Sequence, residues 1–327
     1  MTVDTLPSRS VGLSTGEGTA IRSIAVVSTG SGEGHREHVF GTRKPALWWI
    51  FAGRDWVRVP INVYVVEHSD GLVLFDAGQD RAVVTDPNYW PDRVTRFFMK
   101  HTFKFEIGPE DTLARQLALA GYSAGNVRKA VISHLHADHV GCIREIPQAD
   151  LYVGQEAWRH MLGPHPEREM VLRRDIEIPG AKWNHIAFEP VDDPTIKPFT
   201  HAHDLMGDRT MMLLPTPGHL PGSLSMLVRS EGVPPVLLVG DLCYSQDMLM
   251  RDQFPGTGDK QQLRETYAKV RALKERTPGL LILASHDPQA ADRLRSAKAS
   301  ASVFRPRTTA PRAPSSATMR KQPGAHR

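Results

Sequence analysis

The sequence Ser133-His134-Leu135-His136-Ala137-Asp138-His139 places three imidazoles and one carboxylate within a single short stretch. It follows an apolar run, residues 130–132, which predicts a strand that ends where the histidines begin. Alternate side chains of an extended segment point the same way, so His134 and His136 can bind one metal ion as a pair. The last two residues of the stretch break this alternation and are expected to turn toward a second position nearby.

The donor types of this stretch indicate which metal it would bind. Imidazole and carboxylate without thiolate, on the loop after a strand, are typical of Zn²⁺ or a similar borderline metal. The alternative is a chance cluster of surface histidines. With 15 histidines in 327 residues, a chance match to H-x-H-x-D-H is expected far less than once. We therefore interpret the stretch as part of a metal site.

Length and composition set the class of protein. A chain of 327 residues with 40% hydrophobic residues and 25 prolines is typical of a globular α/β enzyme with long loops. The two cysteines, Cys142 and Cys243, exclude a disulfide framework and are expected to be small buried hydrophobes. The N-terminus has no apolar core of signal-peptide type, and no run approaches the roughly 18 apolar residues of a membrane span. We expect a cytoplasmic protein with no membrane partner.

The chain has a pI of about 9.1, and this basic character comes from its C-terminal end. From residue 296 onward there are seven basic residues and no acidic ones, which leaves 33 basic against 36 acidic residues elsewhere. The body of the protein is therefore slightly acidic, and nucleic acid is not an expected partner.

Three regions are expected along the chain. Residues 1–20 are rich in Ser, Thr and Gly and are predicted to be a disordered extension. Residues 21–296 are predicted to form the catalytic domain. Residues 297–327 are rich in Pro, Ser, Thr and Arg and are predicted to be a basic disordered tail.

Within the domain, two apolar runs around Ser69-Asp70-Gly71 predict a β-hairpin. The aromatic-rich residues 79–109 are expected to form a long irregular loop or lid. Helices are predicted at residues 112–120, capped by Asp111, and at residues 140–146 and 260–276. Residues 163–208 carry no clear pattern, and His201-Ala202-His203-Asp204 within them is expected to be a solvated loop that only imitates the metal motif.

Further metal donors occur at the ends of three later apolar runs. Thr216-Pro217-Gly218-His219 follows one strand candidate, Gly240-Asp241 follows a second, and Ser285-His286 follows a third. Loops at strand ends that collect at one edge of a sheet are the usual way in which an α/β scaffold builds a site.

Together, H-x-H-x-D-H, TPGH, GD and the late SHD resemble the metallo-β-lactamase superfamily, over roughly residues 21 to 290. The resemblance implies an α/β fold, an αββα sandwich of two mixed β-sheets flanked by helices, with a dinuclear zinc centre. It implies seven ligands: His134, His136 and His219 for the first ion, Asp138, His139 and His286 for the second, and Asp241 for both. A carboxylate has two oxygens and can span ions about 3.5–4 Å apart, as a bridge requires. The early Asp76 is expected to orient a ligand rather than to bind metal.

The segment Gly240-Asp241-Leu242-Cys243-Tyr244 is similar to the N-acyl-homoserine lactonases, the quorum-quenching family, in which a tyrosine occupies this place. The alternative is an ordinary tyrosine that packs beside the site. The intervals between the late ligands are also similar to that family. Class B β-lactamases typically lack the combination of His139 and Asp241, so β-lactam hydrolysis is not expected.

The activity that this resemblance implies is the opening of an acyl-homoserine lactone ring by a hydroxide that bridges two zinc ions. Tyr244 would polarise the carbonyl oxygen, and Asp138 would carry the proton to the leaving oxygen. Aromatic residues such as Trp48, Tyr89 and Phe97 are candidates for an acyl-chain groove. The resemblance also implies a homodimer as one of the assemblies to expect, because lactonases of this family often dimerise.

Two alternatives remain open. One is another hydrolase of the superfamily, acting on thioesters, arylsulfates or phosphodiesters. The other is a metal-binding or electron-transfer module of the same fold. We expect neither the flavin domain that commonly accompanies the diiron members, for which residues after 296 leave no room, nor the helical domain of glyoxalase II, since only a predicted disordered tail follows His286.

Overall fold

A computed structural model describes residues 11–14 and 19–303. Two sheets form the centre of the fold. The larger contains β1 (Val11–Ser14), β2 (Ile21–His35), β3 (Trp56–His68), β4 (Gly71–Phe75), β5 (Phe103–Glu106), β6 (Val127–Val131), β7 (Asp150–Gly154) and β8 (Lys182–Ile186). The smaller contains β9 (Glu189–Pro190), β10 (His201–Asp204), β11 (Met211–Pro215), β12 (Leu224–Val228), β13 (Val236–Leu238) and β14 (Leu281–Leu283).

Both sheets are mixed. The larger has the order β1-β2-β3-β4-β6-β7-β8, with β5 paired to β2, and its strands are antiparallel up to β4 and parallel from there to β8. The smaller has the order β14-β13-β12-β11-β10-β9; its β13–β14 pair is parallel, and its other pairs are antiparallel. The Ser69-Asp70-Gly71 hairpin is confirmed as the β3–β4 connection.

The helices are distributed among the strands along the chain. They are α1 (Arg36–Phe40), α2 (Ala46–Ala52), α3 (Ala82–Thr85), α4 (Arg93–Thr102), α5 (Leu113–Leu119), α6 (Ala137–Val140), α7 (Gln155–Met161), α8 (Arg173–Ile176), α9 (Gln246–Met250), α10 (Lys260–Arg276) and α11 (Ala290–Val303).

Three apolar cores produce the layers. The central core lies between the sheets and joins residues such as Tyr64 and Phe75 of the larger sheet to Met226 of the smaller. Helices α5 and α7 cover the outer face of the larger sheet, while α9 and α10 cover that of the smaller. Each sheet therefore buries both of its faces. The predicted αββα sandwich of two mixed sheets is confirmed.

At one end the two sheets are joined by direct hydrogen bonds. The Tyr64 hydroxyl donates to the carbonyl oxygen of Ala284 at 2.6 Å, and the backbone N–H of Asn62 donates to Ser285 at 3.0 Å. The backbone N–H of Leu224 donates to Ser133 at 2.9 Å. These bonds fix the loops after β6 and β14 relative to each other.

The structure corrects both predicted boundaries of the domain. Residues 11–14, which were expected to be disordered, form β1 because Leu13 is fully buried in the central core. Helix α11 continues past residue 296 to Val303, since Ala290 and Leu294 anchor it against the same core. The rest of the predicted extension and tail, residues 1–10, 15–18 and 304–327, lies outside the described residues.

The aromatic-rich segment 79–109 was wrongly predicted to be irregular. It contains α3, α4 and β5, and the carboxylate of Asp92 caps α4 by accepting from the N–H groups of Val94 and Thr95. Thr95 and Met99, four residues apart, bury one side of that helix.

Other local predictions were also wrong in detail. Thr112, not Asp111, caps α5, and the helix expected at residues 140–146 is replaced by α6 and a single turn at residues 143–145. The segment His201–Asp204 is strand β10, because it pairs with β9 and β11 and buries Ala202. The helix predicted at residues 260–276 is confirmed without change.

Candidate metal centre

The structure brings all seven predicted ligands to one end of the sandwich. The first group is His134, His136 and His219. Nδ1 of His136 lies 2.9 Å from Nε2 of His134 and 3.2 Å from Nε2 of His219. Three imidazole nitrogens therefore converge on a single point, although His219 follows β11 in the other sheet.

The second group is Asp138, His139 and His286. Nε2 of His286 lies 3.4 Å from Oδ2 of Asp138, and Nε2 of His139 lies 3.8 Å from Oδ1 of Asp138. Helix α6 begins at Ala137, which turns Asp138 and His139 away from the direction of the preceding two histidines. The expected change of direction within the motif is present.

Asp241 lies between the two groups. Its Oδ2 is 3.7 Å from Nε2 of His219 and 3.2 Å from Nε2 of His286. Its Oδ1 is 3.4 Å from Nε2 of His139. One carboxylate thus faces donors of both groups, as a ligand shared by two ions must.

Two buried atoms at the centre of this cluster have no hydrogen-bond partner among the described residues. They are Nε2 of His139 and Oδ1 of Asp241. They face each other at 3.4 Å without forming a hydrogen bond, so a metal ion bound by both would complete the bonding of each atom. The seven imidazole and carboxylate donors of the cluster fit a pair of zinc ions by chemistry and by number.

Asp76 holds the backbone and one ligand of this cluster in place. Its carboxylate accepts from the N–H of Ser133 at 2.8 Å and from the hydroxyls of Ser133 at 3.0 Å and Ser285 at 2.9 Å. Its Oδ2 also lies 2.8 Å from Nδ1 of His139. That contact leaves Nε2 of His139 directed at the centre, which is the supporting role predicted for this aspartate.

The backbone of Asp76 has a positive φ of 64°. Such a conformation is unfavourable for a residue with a side chain and is retained where the surroundings enforce it. Four accepted hydrogen bonds supply that enforcement here.

Backbone contacts orient the other ligands. Nδ1 of His286 donates to the carbonyl oxygen of Pro60 at 2.8 Å, which leaves its Nε2 free for a metal. Gly240, which precedes the shared carboxylate, has a φ of 57°, and a Cβ there would lie 2.7 Å from Ser133. Only glycine allows Asp241 to approach the loop after β6 this closely.

The electrostatics divide the histidines into two kinds. Burial lowers the pKa of His219 to about 3 and that of His136 to about 4, so both are neutral donors at neutral pH. Burial opposes protonation of His286 as well, but Asp241 and Asp138 outweigh it and raise the pKa to about 10. The pKa of His139 is raised for the same reason, by Asp76 and Asp241 against burial.

A cleft opens over the cluster. It is lined by ligands of both groups, by Tyr244, and by apolar side chains that include Val59, Phe103 and Met170. The aromatic candidates Trp48, Tyr89 and Phe97 do not line it; Phe103 and Phe105 of β5 do. The sequence indicated the aromatic-rich segment 79–109 as a loop or lid, but it did not indicate that strand β5 within it forms this wall.

Sequence reasoning also missed His38. It is buried on α1, lines the cleft, and lies with Nε2 3.0 Å from the Tyr244 hydroxyl oxygen. No local motif surrounds it, so no signal in the sequence could have found it. Cys142 and Cys243 are buried, as predicted.

Comparison with known proteins agrees with this geometry. The family model of the metallo-β-lactamase superfamily matches residues 56–286, which include all seven donors. The chain belongs to the metallo-β-lactamase superfamily. This membership, together with the metallo-hydrolase relatives described next, makes it a metal-dependent hydrolase by class. Among the described residues, no helix combines the length and the apolar character of a membrane span.

Two relatives within this superfamily are similar in sequence. The N-acyl homoserine lactonase AttM of Azorhizobium caulinodans is 28% identical over 249 residues, 73% of this chain and 85% of that protein. The probable metallo-hydrolase Rv2300c of Mycobacterium tuberculosis is 31% identical over 244 residues, 69% of this chain and 74% of that protein.

A solved structure shares the metallo-β-lactamase fold. A point mutant of AiiA from B. thuringiensis, with N-decanoyl-L-homoserine bound at its active site, superposes with a TM-score of 0.66. The comparison covers 83% of this chain and 95% of that one at 18% identity. The sandwich architecture is therefore shared with AiiA.

Asp76→Asn is expected to weaken metal binding at this superfamily site about 10- to 100-fold, because the amide cannot accept from both Ser133 and His139. Competition with a chromogenic chelator measures the affinity. Asp193→Asn is the matched control, since that carboxylate is also buried but accepts from Thr195, outside the cluster. Wild-type affinity in Asp76→Asn would contradict the orienting role.

Metal loading is expected to release protons. The raised pKa values of His286 and His139 mean that both rings are positively charged imidazolium at neutral pH until a metal displaces one proton from each. Metal affinity should therefore increase as the pH rises toward the pKa of His286. Calorimetric titration with zinc in buffers of different ionisation enthalpy counts the protons; a heat independent of the buffer would contradict the prediction.

Proposed function

We propose that the protein hydrolyses N-acyl-homoserine lactones with two bound zinc ions. The observation that carries the proposal is the cleft itself, where a tyrosine hydroxyl and an apolar wall lie beside a seven-donor cluster. The lactonase name of AttM and the N-decanoyl-L-homoserine bound in AiiA support the same substrate class.

In this proposal the first group of ligands would hold one zinc ion and the second group the other, and Asp241 would be a ligand of both. When bound, the ions supply Lewis acidity that activates water and polarises the carbonyl group of the ester. The protein's own side chains then bind the acyl chain, orient the carbonyl oxygen and move the proton.

The apolar wall of the cleft suits an acyl chain. Five apolar side chains are among its lining residues: Val39, Val59, Ile61, Phe103 and Met170. Removing a chain from water against such surfaces contributes about 0.8 kcal/mol for each buried methylene group. A polar substrate without an acyl chain would gain nothing from this wall.

Tyr244 is placed to assist the carbonyl oxygen. It is 6% exposed, and its ring meets the edge of the His286 ring at 5.2 Å between centroids. Burial, and then the charge of Asp241, raise the pKa of this hydroxyl, so it remains a donor at neutral pH. One such donor to a developing oxyanion contributes on the order of 3 kcal/mol to the transition state.

Asp138 is the proposed carrier of the proton. It lines the cleft with 13% of its side chain exposed. Although burial favours the neutral acid, His139 and His286 hold the pKa of Asp138 well below its usual range. An ionised carboxylate can accept a proton from the attacking water and pass it to the ring oxygen as the ester bond breaks.

The activity is tested with a substrate panel. Zinc-loaded protein is assayed on acyl-homoserine lactones of increasing chain length, a γ-lactone, a thioester, an arylsulfate and a phosphodiester, with and without chelator. We expect cleavage of the acyl-homoserine lactones, with preference for a chain, and its loss with chelator. Turnover of another ester class without lactone cleavage would overturn the proposal.

Tyr244→Phe should lower kcat on a lactone roughly 10- to 100-fold with little change in KM, because the hydroxyl donates mainly in the transition state. Steady-state kinetics measure the effect. Tyr122→Phe is the matched control, since its hydroxyl contacts Ser23 on the larger sheet and is remote from the cleft. Unchanged turnover in Tyr244→Phe would leave that tyrosine with a packing role alone.

Asp138→Asn should reduce kcat far more than it reduces metal content, because the amide cannot carry a proton. Metal content by plasma emission and lactone turnover are measured on the same sample. If turnover falls only in proportion to metal, Asp138 is a ligand and not a proton carrier.

A further inference from the structure

His38 lies in the cleft but belongs to neither group of metal donors. Its ring packs edge-on against Phe103 at 4.9 Å and lies tilted beside Trp49 at 6.1 Å between centroids. Its carbonyl oxygen accepts from the N–H of Gly256 at 2.6 Å, which anchors α1 to the loop before α10. The imidazole is therefore held in one place and cannot swing toward the metal ligands without losing this packing.

The contact of interest is between two atoms that can each donate or accept. Nε2 of His38 lies 3.0 Å from the hydroxyl oxygen of Tyr244. If Nε2 carries the hydrogen, it donates to the tyrosine oxygen and leaves the tyrosine hydrogen available to a substrate. If Nε2 lacks the hydrogen, the tyrosine donates to it and has no hydrogen left for a carbonyl oxygen.

The other ring nitrogen decides between these arrangements. Nδ1 of His38 is buried and has no hydrogen-bond partner among the described residues. With the hydrogen on Nδ1, a buried N–H donor would be left unpaired, which costs about 1–3 kcal/mol. With the hydrogen on Nε2, only a lone pair is left unpaired, and orphaned acceptors are the better tolerated of the two.

We propose that His38 is a positioning residue: its Nε2–H donates to the Tyr244 oxygen and directs the tyrosine hydrogen toward the carbonyl oxygen of the substrate. The proposal rests on the hydrolysis of lactones proposed above. In it, His38 touches neither metal nor substrate and acts only through Tyr244.

The surroundings keep the imidazole in the required neutral form. Burial, and then the proximity of His219, lower the pKa of His38 to about 3. A neutral ring carries a single N–H, so the choice of nitrogen determines the direction of the hydrogen bond.

Two substitutions separate the hydrogen bond from the packing. In His38→Gln the side-chain amide nitrogen can occupy the place of Nε2 and donate, whereas His38→Leu fills similar space without a donor. We expect His38→Leu to lower kcat on an acyl-homoserine lactone about tenfold with KM changed less than twofold. His38→Gln should restore most of that loss. Thermal melting and metal content, measured on both variants, confirm that fold and cluster are intact.

A double-mutant cycle tests whether His38 acts through the tyrosine. In the Tyr244→Phe background, His38→Leu should have no further effect on kcat, since the hydroxyl that it orients is absent. An equal tenfold loss in both backgrounds would overturn the proposal and assign His38 a separate role. Failure of His38→Gln to recover turnover while fold and metal content are intact would also contradict it.

A measurement independent of activity separates this inference from the proposed function. In protein with ¹⁵N-labelled histidine, the nitrogen shifts of His38, assigned from their loss in His38→Gln, report which nitrogen is protonated. We expect hydrogen on Nε2 and not on Nδ1. Hydrogen on Nδ1 would overturn the positioning role. Hydrogen on Nε2 without any lactone turnover would instead mean that the proposed function had failed.

Discussion

The carboxylate of Asp76 is the interaction on which the site depends. It accepts hydrogen bonds from the loop after β6, through Ser133, and from the loop after β14, through Ser285. These loops belong to different sheets, so one buried anion ties together the two halves of the sandwich where the metal donors emerge. The same carboxylate also fixes the ring of His139. Asp76 therefore both joins the two sheets and orients a metal ligand.

Charge balance lowers the cost of burying the carboxylates at this end of the protein. Asp76, Asp138 and Asp241 are three carboxylates within a largely buried cluster, and without counter-charges they would be costly to bury. Protonated His139 and His286 supply those charges in the absence of metal, and two divalent ions would replace them with a larger positive charge. The cluster is thus arranged to bind cations. The protons on His139 and His286 balance the carboxylate charges only until a metal binds.

Much of the site could be predicted because its ligands occur in short motifs at strand ends. Each of these ligands can be recognised at the end of an apolar run: the H-x-H-x-D-H motif first, then the later histidines and aspartate. The αββα layers were predicted from the resemblance that these motifs carry. Leu13 and β1 could not be predicted, because a four-residue strand in a polar stretch is stabilised only by its partner β2 and by the core. Strand β10 likewise exists because β9 and β11 pair with it, while its own residues favour no structure.

His38 shows a different kind of limit. Its importance arises from a contact between residues 38 and 244, and from a cleft wall formed by β5, which lies within a segment expected to be a loop. The residues next to His38 and next to Tyr244 in the sequence do not reveal this contact, because it joins positions that are far apart in the chain. The metal ligands occur in the sequence as recognisable motifs. The groups proposed to orient a substrate come together only when α1, β5 and the loop after β13 pack against one another.

A pair of metal ions joined by Asp241 is the central feature proposed for this protein. Diffraction from zinc-loaded crystals, recorded on both sides of the zinc absorption edge, tests it most directly. We expect two anomalous peaks about 3.5–4 Å apart, with the Asp241 carboxylate bonded to both. A single peak, or two peaks of which one makes no bond to Asp241, would contradict it.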